Sequence, residues 1–453
     1  MHLPARATTS VAAGASAVLF LVTACSSSDS ETVERPEAPQ SAVEAAEAAA
    51  ADAAGGEELG GKVSMLGVLG GEELDAFNTV LEPFEKATGI DVQYEGTRDF
   101  AAVLQTRVDG GNPPDVVATP AIGEMRAFAE DGVLADLEAV IGQDVLDESF
   151  TPSLLETASL DGQVFGVFNN LNLGGLIWYN PASYEGPTDP QSWDELAGWA
   201  QEQVDSGATP WCVGLESGAA SGWPAADFID EILLRQAGPE FHQRWTEGEE
   251  PFTAPEVKQA FETYGETVKE DTVYGGSVNA LSTNFAKAAN PMFADDPGCS
   301  ILQQATFMGG IIQDSFPNLE SGTDLDYFPV PDFSTEFPEI RSISGEIIGV
   351  INESPQSAAL VKYLASAEAG TQIAATGRWL SGNKNVDDSA YQDPFLAKAS
   401  QILAEAEGTY SLGNSLMPQS LVDAFWKAGV DYTKSPDDLD EILATVDQVR
   451  QDG

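Results

Sequence analysis

The side chains best placed to do chemistry are aromatic rings and hydrogen-bonding groups at the ends of elements. Trp223 lies between Gly222 and Pro224 at the start of a helical pattern, where a large ring can project into a cleft. Packing in a core is the competing reading. Arg378-Trp379 follow Thr376-Gly377 in a loop, and a guanidinium there can donate hydrogen bonds in pairs. A surface arginine beside a half-buried indole is the alternative. Thr119-Pro120 end one predicted strand, and Arg98-Asp99 follow another, with Glu72 or Glu73 after Gly70-Gly71 a weaker candidate. Asn169, Asn170 and Asn172 interrupt an apolar stretch, although Asn in a turn often serves only its own backbone. Rings that stack on C–H faces, mixed with amides, carboxyls and guanidinium groups, suit a polyhydroxylated ligand in a cleft.

Other chemistries find little support. A glycoside hydrolase needs two carboxylates flanking the bond, and among 73 acidic residues any pairing is unremarkable. A hydrolase or transferase therefore stays open as an alternative. So does a surface adhesin for polymeric glycan. Once a leader is removed only His242 remains, in Phe241-His242-Gln243-Arg244, which reads as a surface helix. A histidine triad or a multi-histidine zinc site has almost nothing to work with. Gly309-Gly310 lack the spacing of a nucleotide loop. No metal and no cofactor are expected.

Charge narrows the class further. With 20 basic residues the formal net charge is -53, a field on which a phosphate-binding groove is excluded. Such a charge suits solubility in high salt, where self-repulsion is screened.

The chain starts with Arg6, an apolar run Val18-Leu19-Phe20-Leu21, and Val22-Thr23-Ala24-Cys25 before three serines. This is a secretory signal with a small residue before a cysteine, and it resembles the bacterial lipobox, in which the cysteine is lipidated. An ordinary signal peptide or a retained apolar anchor is the alternative. No later segment approaches the roughly 20 apolar residues of a spanning helix. We therefore expect residues 1–24 to be a signal peptide and 25–61 a lipidated Cys25 with a disordered acidic tether. In that tether 42–54 could turn helical, but it shows no apolar face to dock. Cys212 and Cys299 remain, an even pair outside the cytoplasm that is most simply a disulfide. Two buried free thiols are the alternative.

The rest of the chain is too long for one core and fits two lobes. Strand patterns at 62–69, 90–94 and 115–118 alternate with helical patterns ending at Gly89 and Val108, which implies a parallel sheet covered by helices. Ligands of such sheets bind beyond the carboxyl ends of the strands. Residues 165–168, 176–179 and 347–351 are strand-like. Helices are predicted at 224–236, 255–269, 355–367, 393–407, 420–432 and 436–449.

Phe84-Glu85-Lys86-Ala87-Thr88-Gly89-Ile90-Asp91-Val92, then Pro113-Pro114-Asp115-Val116-Val117 and Gly132-Val133-Leu134-Ala135-Asp136-Leu137, resemble the successive signatures of family 1 extracellular solute-binding proteins. Leu176-Ile177-Trp178-Tyr179-Asn180-Pro181 and Ser192-Trp193-Asp194-Glu195-Leu196 continue the same order. The stretch from Pro210 to Pro224, which contains Cys212, Glu216 and Trp223, is similar to that of α-glucoside-binding members. So are Pro297-Gly298-Cys299, Gln304-Ala305-Thr306-Phe307 and Asp423-Ala424-Phe425-Trp426-Lys427.

The resemblance implies a periplasmic-binding-protein-like α/β fold, two lobes joined by a hinge with crossover strands and closing on a sugar. It supports the cysteine pairing and places Phe307 and Trp426 where relatives present stacking rings, although Trp426 also fits the buried face of its own helix. It implies an ABC permease and ATPase as partners. We expect an extracytoplasmic monomer attached to the membrane by lipid only, with no nucleic-acid partner and no catalysis. The lobes are expected at 62–167 plus 340–372 and at 168–339 plus 373–453. Two departures from the family pattern stand out: Ser344-Gly345-Glu346 replaces a common Gly-Gly-Asp, and Arg378-Trp379-Leu380 occupies a later loop. The expected ligand set is Arg98, Thr119, Asn170, Asn172, Glu216, Trp223, Phe307, Glu346, Arg378, Trp379 and Trp426.

Overall fold

Apolar runs flanked by amphipathic helices build the first lobe of the computed structural model, which describes residues 38–452. The expected signal peptide and Cys25 lie outside the described residues. In strand Lys62–Gly67, Val63, Met65 and Leu66 are all buried, as a strand covered on both faces requires. Helix Glu72–Thr88 turns Phe77, Val80, Leu81 and Phe84 inward. It stops at Gly89, whose left-handed φ of 68° lets its N–H bond the Glu85 carbonyl. Strands Asp91–Gly96 and Val116–Thr119 lie parallel to Lys62–Gly67 on either side.

The sheet is mixed rather than parallel throughout. Ile347–Val350 runs antiparallel to Val116–Thr119 and to Val167–Phe168, completing a five-stranded sheet. It enters directly from the hinge and not through a helical crossover, so it need not share the direction of the others.

Three segments cross between the lobes around a small hinge sheet. Asn170–Leu173 pairs antiparallel with Ile340–Ser344 on one side and with Leu380–Ser381 on the other. Gly408–Ser411 extends it, parallel to Ile340–Ser344. Strand Ile340–Ser344, expected within the first lobe, thus belongs to the hinge.

The second lobe has its own sheet, with Leu176–Tyr179 between Asp326–Pro329 and Ile301–Gln304, antiparallel to both. Helices Trp223–Ala237, Pro255–Gly265, Gln419–Lys434 and Leu439–Asp452 cover it with a core that includes Ile229, Phe261, Phe425 and Leu443. The helix expected at 355–367 is two helices, Pro355–Leu364 and Ala367–Ala375, because the Ser366 hydroxyl accepts the Ala369 N–H and starts a new one. Cys212 and Cys299 form a disulfide with Cα atoms 5.4 Å apart, joining the segment before Trp223 to the edge strand Ile301–Gln304.

The tether expected over 25–61 needs correction. Gln40–Ala53 is a helix laid against Glu72–Thr88, Pro355–Leu364 and Ala367–Ala375, with Ala46 and Ala50 fully buried. Large apolar side chains are absent, but methyl groups at i and i+4 form a narrow face that lets helix backbones approach closely. Lys86–Glu47 and Lys362–Asp52 ion pairs flank the contact.

Two measurements follow from this packing. Ala50→Asp puts a carboxylate in the first-lobe core and should lower the unfolding free energy by about 2–4 kcal/mol in urea titration. Replacing both Cys212 and Cys299 by Ser should cost about 4 kcal/mol in the same assay, through the freed loop in the unfolded chain.

Candidate functional site

Where the lobes face one another, the first contributes charge. Arg98 follows strand Asp91–Gly96 and its Nη2 lies 2.7 Å from Glu73 Oε2, at the start of helix Glu72–Thr88. Tyr94, on the same strand, accepts the Leu69 N–H on its hydroxyl at 3.2 Å. Burial and then the charge of Glu346 hold that phenol far above its ordinary range.

Glu346 sits between Ile340–Ser344 and Ile347–Val350, with only 6% of its surface exposed. Asn170 Nδ2 donates to its Oε2 at 3.1 Å, and its own N–H donates to Asn170 Oδ1 at 3.2 Å. Its Oε1 is buried without a protein partner, as are both amide atoms of the adjacent Asn169. Burial, reinforced by Glu73, raises the Glu346 carboxyl to about 8, against the smaller opposing effects of Asn170 and Arg98. At neutral pH the carboxyl therefore carries its proton and can donate.

The second lobe contributes rings. The Arg98 guanidinium lies 6.0 Å from the centroid of Phe285, across the lobe boundary. Phe285 meets Trp223 edge-on at 5.1 Å, and Trp223 lies 6.0 Å from Phe307. Gly222 makes the position of Trp223 attainable. Its φ is 100°, and an added Cβ would fall 2.3 Å from the Trp426 carbonyl. The helix beginning at Trp223 therefore abuts helix Gln419–Lys434, and its first ring is left half-buried at the lobe's edge. Phe307 opens helix Phe307–Ser315. The preceding Thr306 hydroxyl donates to Asn172 Oδ1 at 3.2 Å and accepts the Leu173 N–H at 3.2 Å, which ties the ring to the crossover strand.

Of the residues expected from sequence, Arg98, Asn170 and Glu346 thus gather on one side, Trp223 and Phe307 on the other. The remainder have different surroundings. Asn172 is occupied by Thr306, and Thr119 accepts the Ala121 N–H at 3.1 Å, buried in its turn. Glu216 accepts Asn284 Nδ2 at 2.7 Å and the Gly218 N–H at 2.8 Å, and these bonds hold it below the usual carboxylate range. Its carbonyl accepts the Phe285 N–H, so Glu216 braces the loop that carries that ring.

Arg378 is buried and clamps Asp314 with Nη2 at 2.8 and 2.9 Å, against helix Phe307–Ser315. Trp379 packs in the apolar core of the first lobe and is withdrawn from the cleft. Trp426 lies half-buried against the second-lobe core, its indole N–H buried without a partner. His242, expected at the surface, is buried with Nε2 2.5 Å from Asp230 Oδ1.

Sequence reading missed Phe285 and Tyr94. Phe285 stands in a three-residue turn, Phe285–Lys287, that carries no periodic signal. Tyr94 was legible only as a strand residue. Two hollows occur nearby: one of about 370 Å³ inside the second lobe behind Phe285, and one of about 290 Å³ lined by Gly174, Asp227, Gln304 and Ser344 beside the hinge. The first is lined by second-lobe residues alone and does not reach the charged face.

A second contact joins the lobes away from the rings. Gly123, in helix Ile122–Glu130, faces the Met417 carbonyl so closely that a Cβ would come within 2.1 Å of it. Beside it the Glu124 carboxyl is raised to about 7 by burial and then by the charge of Asp423 on helix Gln419–Lys434.

Comparison with known proteins places this geometry. The family described as bacterial extracellular solute-binding protein matches residues 70–371. The chain is 34% identical over 397 residues to the osmoprotective compounds-binding protein GgtB of Synechocystis sp., covering 87% of this chain and 93% of that protein. It is 28% identical over 395 residues to the alpha-glucosides-binding periplasmic protein AglE of Rhizobium meliloti, covering 83% and 84%. Among solved structures, the bacterial solute receptor AcbH is similar in fold with a TM-score of 0.72 at 19% identity, over 86% of this chain and 98% of that one. Maltose-bound MalE3 of T. maritima gives 0.66 at 18%, over 86% and 99%.

The Glu124 contact yields a pH test. A carboxyl whose folded pKa lies above its ordinary 4.5 contributes stability that is full below 4.5 and lost as pH rises through about 7. Glu124→Gln should therefore be more stable than wild type at pH 8 by ~2 kcal/mol, and equal to it at pH 4, in denaturant titrations.

Proposed function

The chain belongs to the bacterial extracellular solute-binding protein family, and from that premise we propose that it is the substrate-binding lipoprotein of a carbohydrate ABC importer, capturing an α-glucoside-type sugar between its lobes. The observation that carries this reading is the opposition of three rings, Trp223, Phe285 and Phe307, to the polar set Arg98, Glu73, Asn170 and Glu346. Rings cover the C–H faces of a pyranose, and the opposite wall reads its hydroxyls. Support for the α-glucosidic class comes from relatives named for osmoprotective compounds and for alpha-glucosides.

Lipidation at Cys25 then holds the protein at the outer face of the cell membrane. The folded part starts at the docked helix Gln40–Ala53, which leaves the shorter stretch before it as the tether. The partners are a permease and an ATPase, and the protein acts as a monomer without catalysis. The lobes are 62–167 and 168–339, with 345–372 returning to the first and 373–453 to the second, and strand Ile340–Ser344 serving as hinge. The sugar binds one lobe and the other closes over it, since a ligand moves an equilibrium only by its differential affinity for the two states.

Calorimetry with maltose, trehalose and short malto-oligosaccharides should give 1:1 binding and a rise in Tm that grows with ligand concentration. Scattering should show a smaller radius when ligand is bound. Released glucose on incubation would instead establish a hydrolase, and binding to polymer alone an adhesin. Trp223→Ala should weaken binding more than tenfold with an unchanged unfolding transition; an unchanged affinity would remove that ring from the site.

A further inference from the structure

The buried carboxyl group at the hinge bears on which ligands the site admits, an inference that rests on the sugar-binding reading above. Glu346 has one oxygen held by Asn170 and the other buried without a protein partner. Asn169, whose N–H donates to the Glu346 carbonyl at 2.9 Å, adds a buried amide with neither its donor nor its acceptor engaged. Both side chains are more than nine-tenths buried. Polar atoms this deep are normally matched, so their complement is expected from a bound molecule. One free carboxyl oxygen, one amide N–H and one amide oxygen are the complement of neighbouring hydroxyl groups, each of which can donate and accept.

The charges around this group decide what else can approach it. Glu73 from helix Glu72–Thr88, Arg98 from the loop after Asp91–Gly96, and Tyr94 from that strand all interact electrostatically with Glu346 or its surroundings. Both arginines near the site are already matched, Arg98 by Glu73 and Arg378 by two contacts to Asp314. A carboxylate on the ligand would therefore meet Glu73 and Glu346 with no uncompensated cation to receive it. Inside a closed cleft that repulsion is not screened by water.

We propose that Glu346, with Asn169 beside it, fixes the charge class of the ligand: uncharged polyhydroxylated glucosides are admitted and sugar acids of the same size are rejected. Selection of this kind works chiefly by penalising the wrong ligand, through an unpaired charge placed against fixed carboxyls. It also makes recognition sensitive to alkali. The carboxyl holds its proton up to about pH 8 because of burial and Glu73, and above that an ionised Glu346 can only accept and repels its neighbour.

Matched probes on the mature folded protein test this. Calorimetry would compare maltose with maltobionate, and methyl α-D-glucoside with methyl α-D-glucuronide, at pH 7. Each neutral probe should bind at least tenfold more tightly than its anionic counterpart. The maltose affinity should fall as pH rises through about 8. In Glu346→Gln, whose amide keeps the shape without the charge, the neutral-to-anionic ratio should shrink at least threefold and the alkaline loss should disappear. The wild-type pH profile stands as an independent readout should that variant fold poorly. Equal binding of both members of each pair by the wild type would overturn this inference while leaving the sugar-binding reading intact. Binding of none of the four probes would overturn the α-glucoside reading and this inference together.

Discussion

Two residue pairs, Ile343 with Leu173 and Ser344 with Asn172, join the crossover strands antiparallel, and much of the site's geometry depends on that register. Strand side chains alternate between faces, so a slip of one residue would exchange every side chain on this joint with its neighbour. The register brings Asn170 and Glu346 to bond each other, with the amide both donating to the carboxyl and accepting the backbone N–H. It also brings Asn172 to Thr306, at the start of the helix that presents Phe307. The polar wall and one of the rings are thus set by the same strand, and that strand is part of the hinge. A change in lobe angle would be felt at once by residues expected to contact the ligand.

Around this joint the chain sorts its charge unevenly. A formal charge of -53 forces most carboxylates outward, where water and salt make their mutual repulsion cheap. Glu346 and Glu124 are the instructive exceptions, since each lies where lobes or crossover strands meet and each is held protonated well above its ordinary range by burial. A buried neutral carboxyl can serve as a hydrogen-bond donor, which no surface glutamate of this protein offers at neutral pH. The arginines on the same face are neutralised by partners. The second lobe answers this wall with rings, so that its contribution is shape and apolar area rather than charge.

Much of this was legible beforehand where the signal was local. Apolar residues at helical spacing from Phe77 to Phe84, closed by Gly89, located a helix and its end. Gly222 and Pro224 marked Trp223 as a ring at a helix start, and the departure at Ser344-Gly345-Glu346 singled out the carboxyl that is buried at the hinge. Local signals misled where small residues replaced large ones. Ala46 and Ala50 carry so little apolar surface that their stretch read as a tether, although methyl faces suffice when a groove between helices is already formed. Trp379 read as a loop ring, but the apolar core of the first lobe takes it in.

The sequence by itself determined the order of strands and helices, the partnership available to Cys212 and Cys299, the exclusion of nucleic-acid binding by charge, and the family resemblance, because each is written in neighbouring residues or in composition. Only the tertiary structure decided that Glu346 meets Asn170 across 176 positions, that Phe285 joins Trp223, and that Arg98 reaches over that ring from the other lobe. Such contacts depend on strand register and lobe placement, which follow from the packing of the whole chain. No window of sequence around Phe285 or Glu346 contains the partners that give those residues their roles.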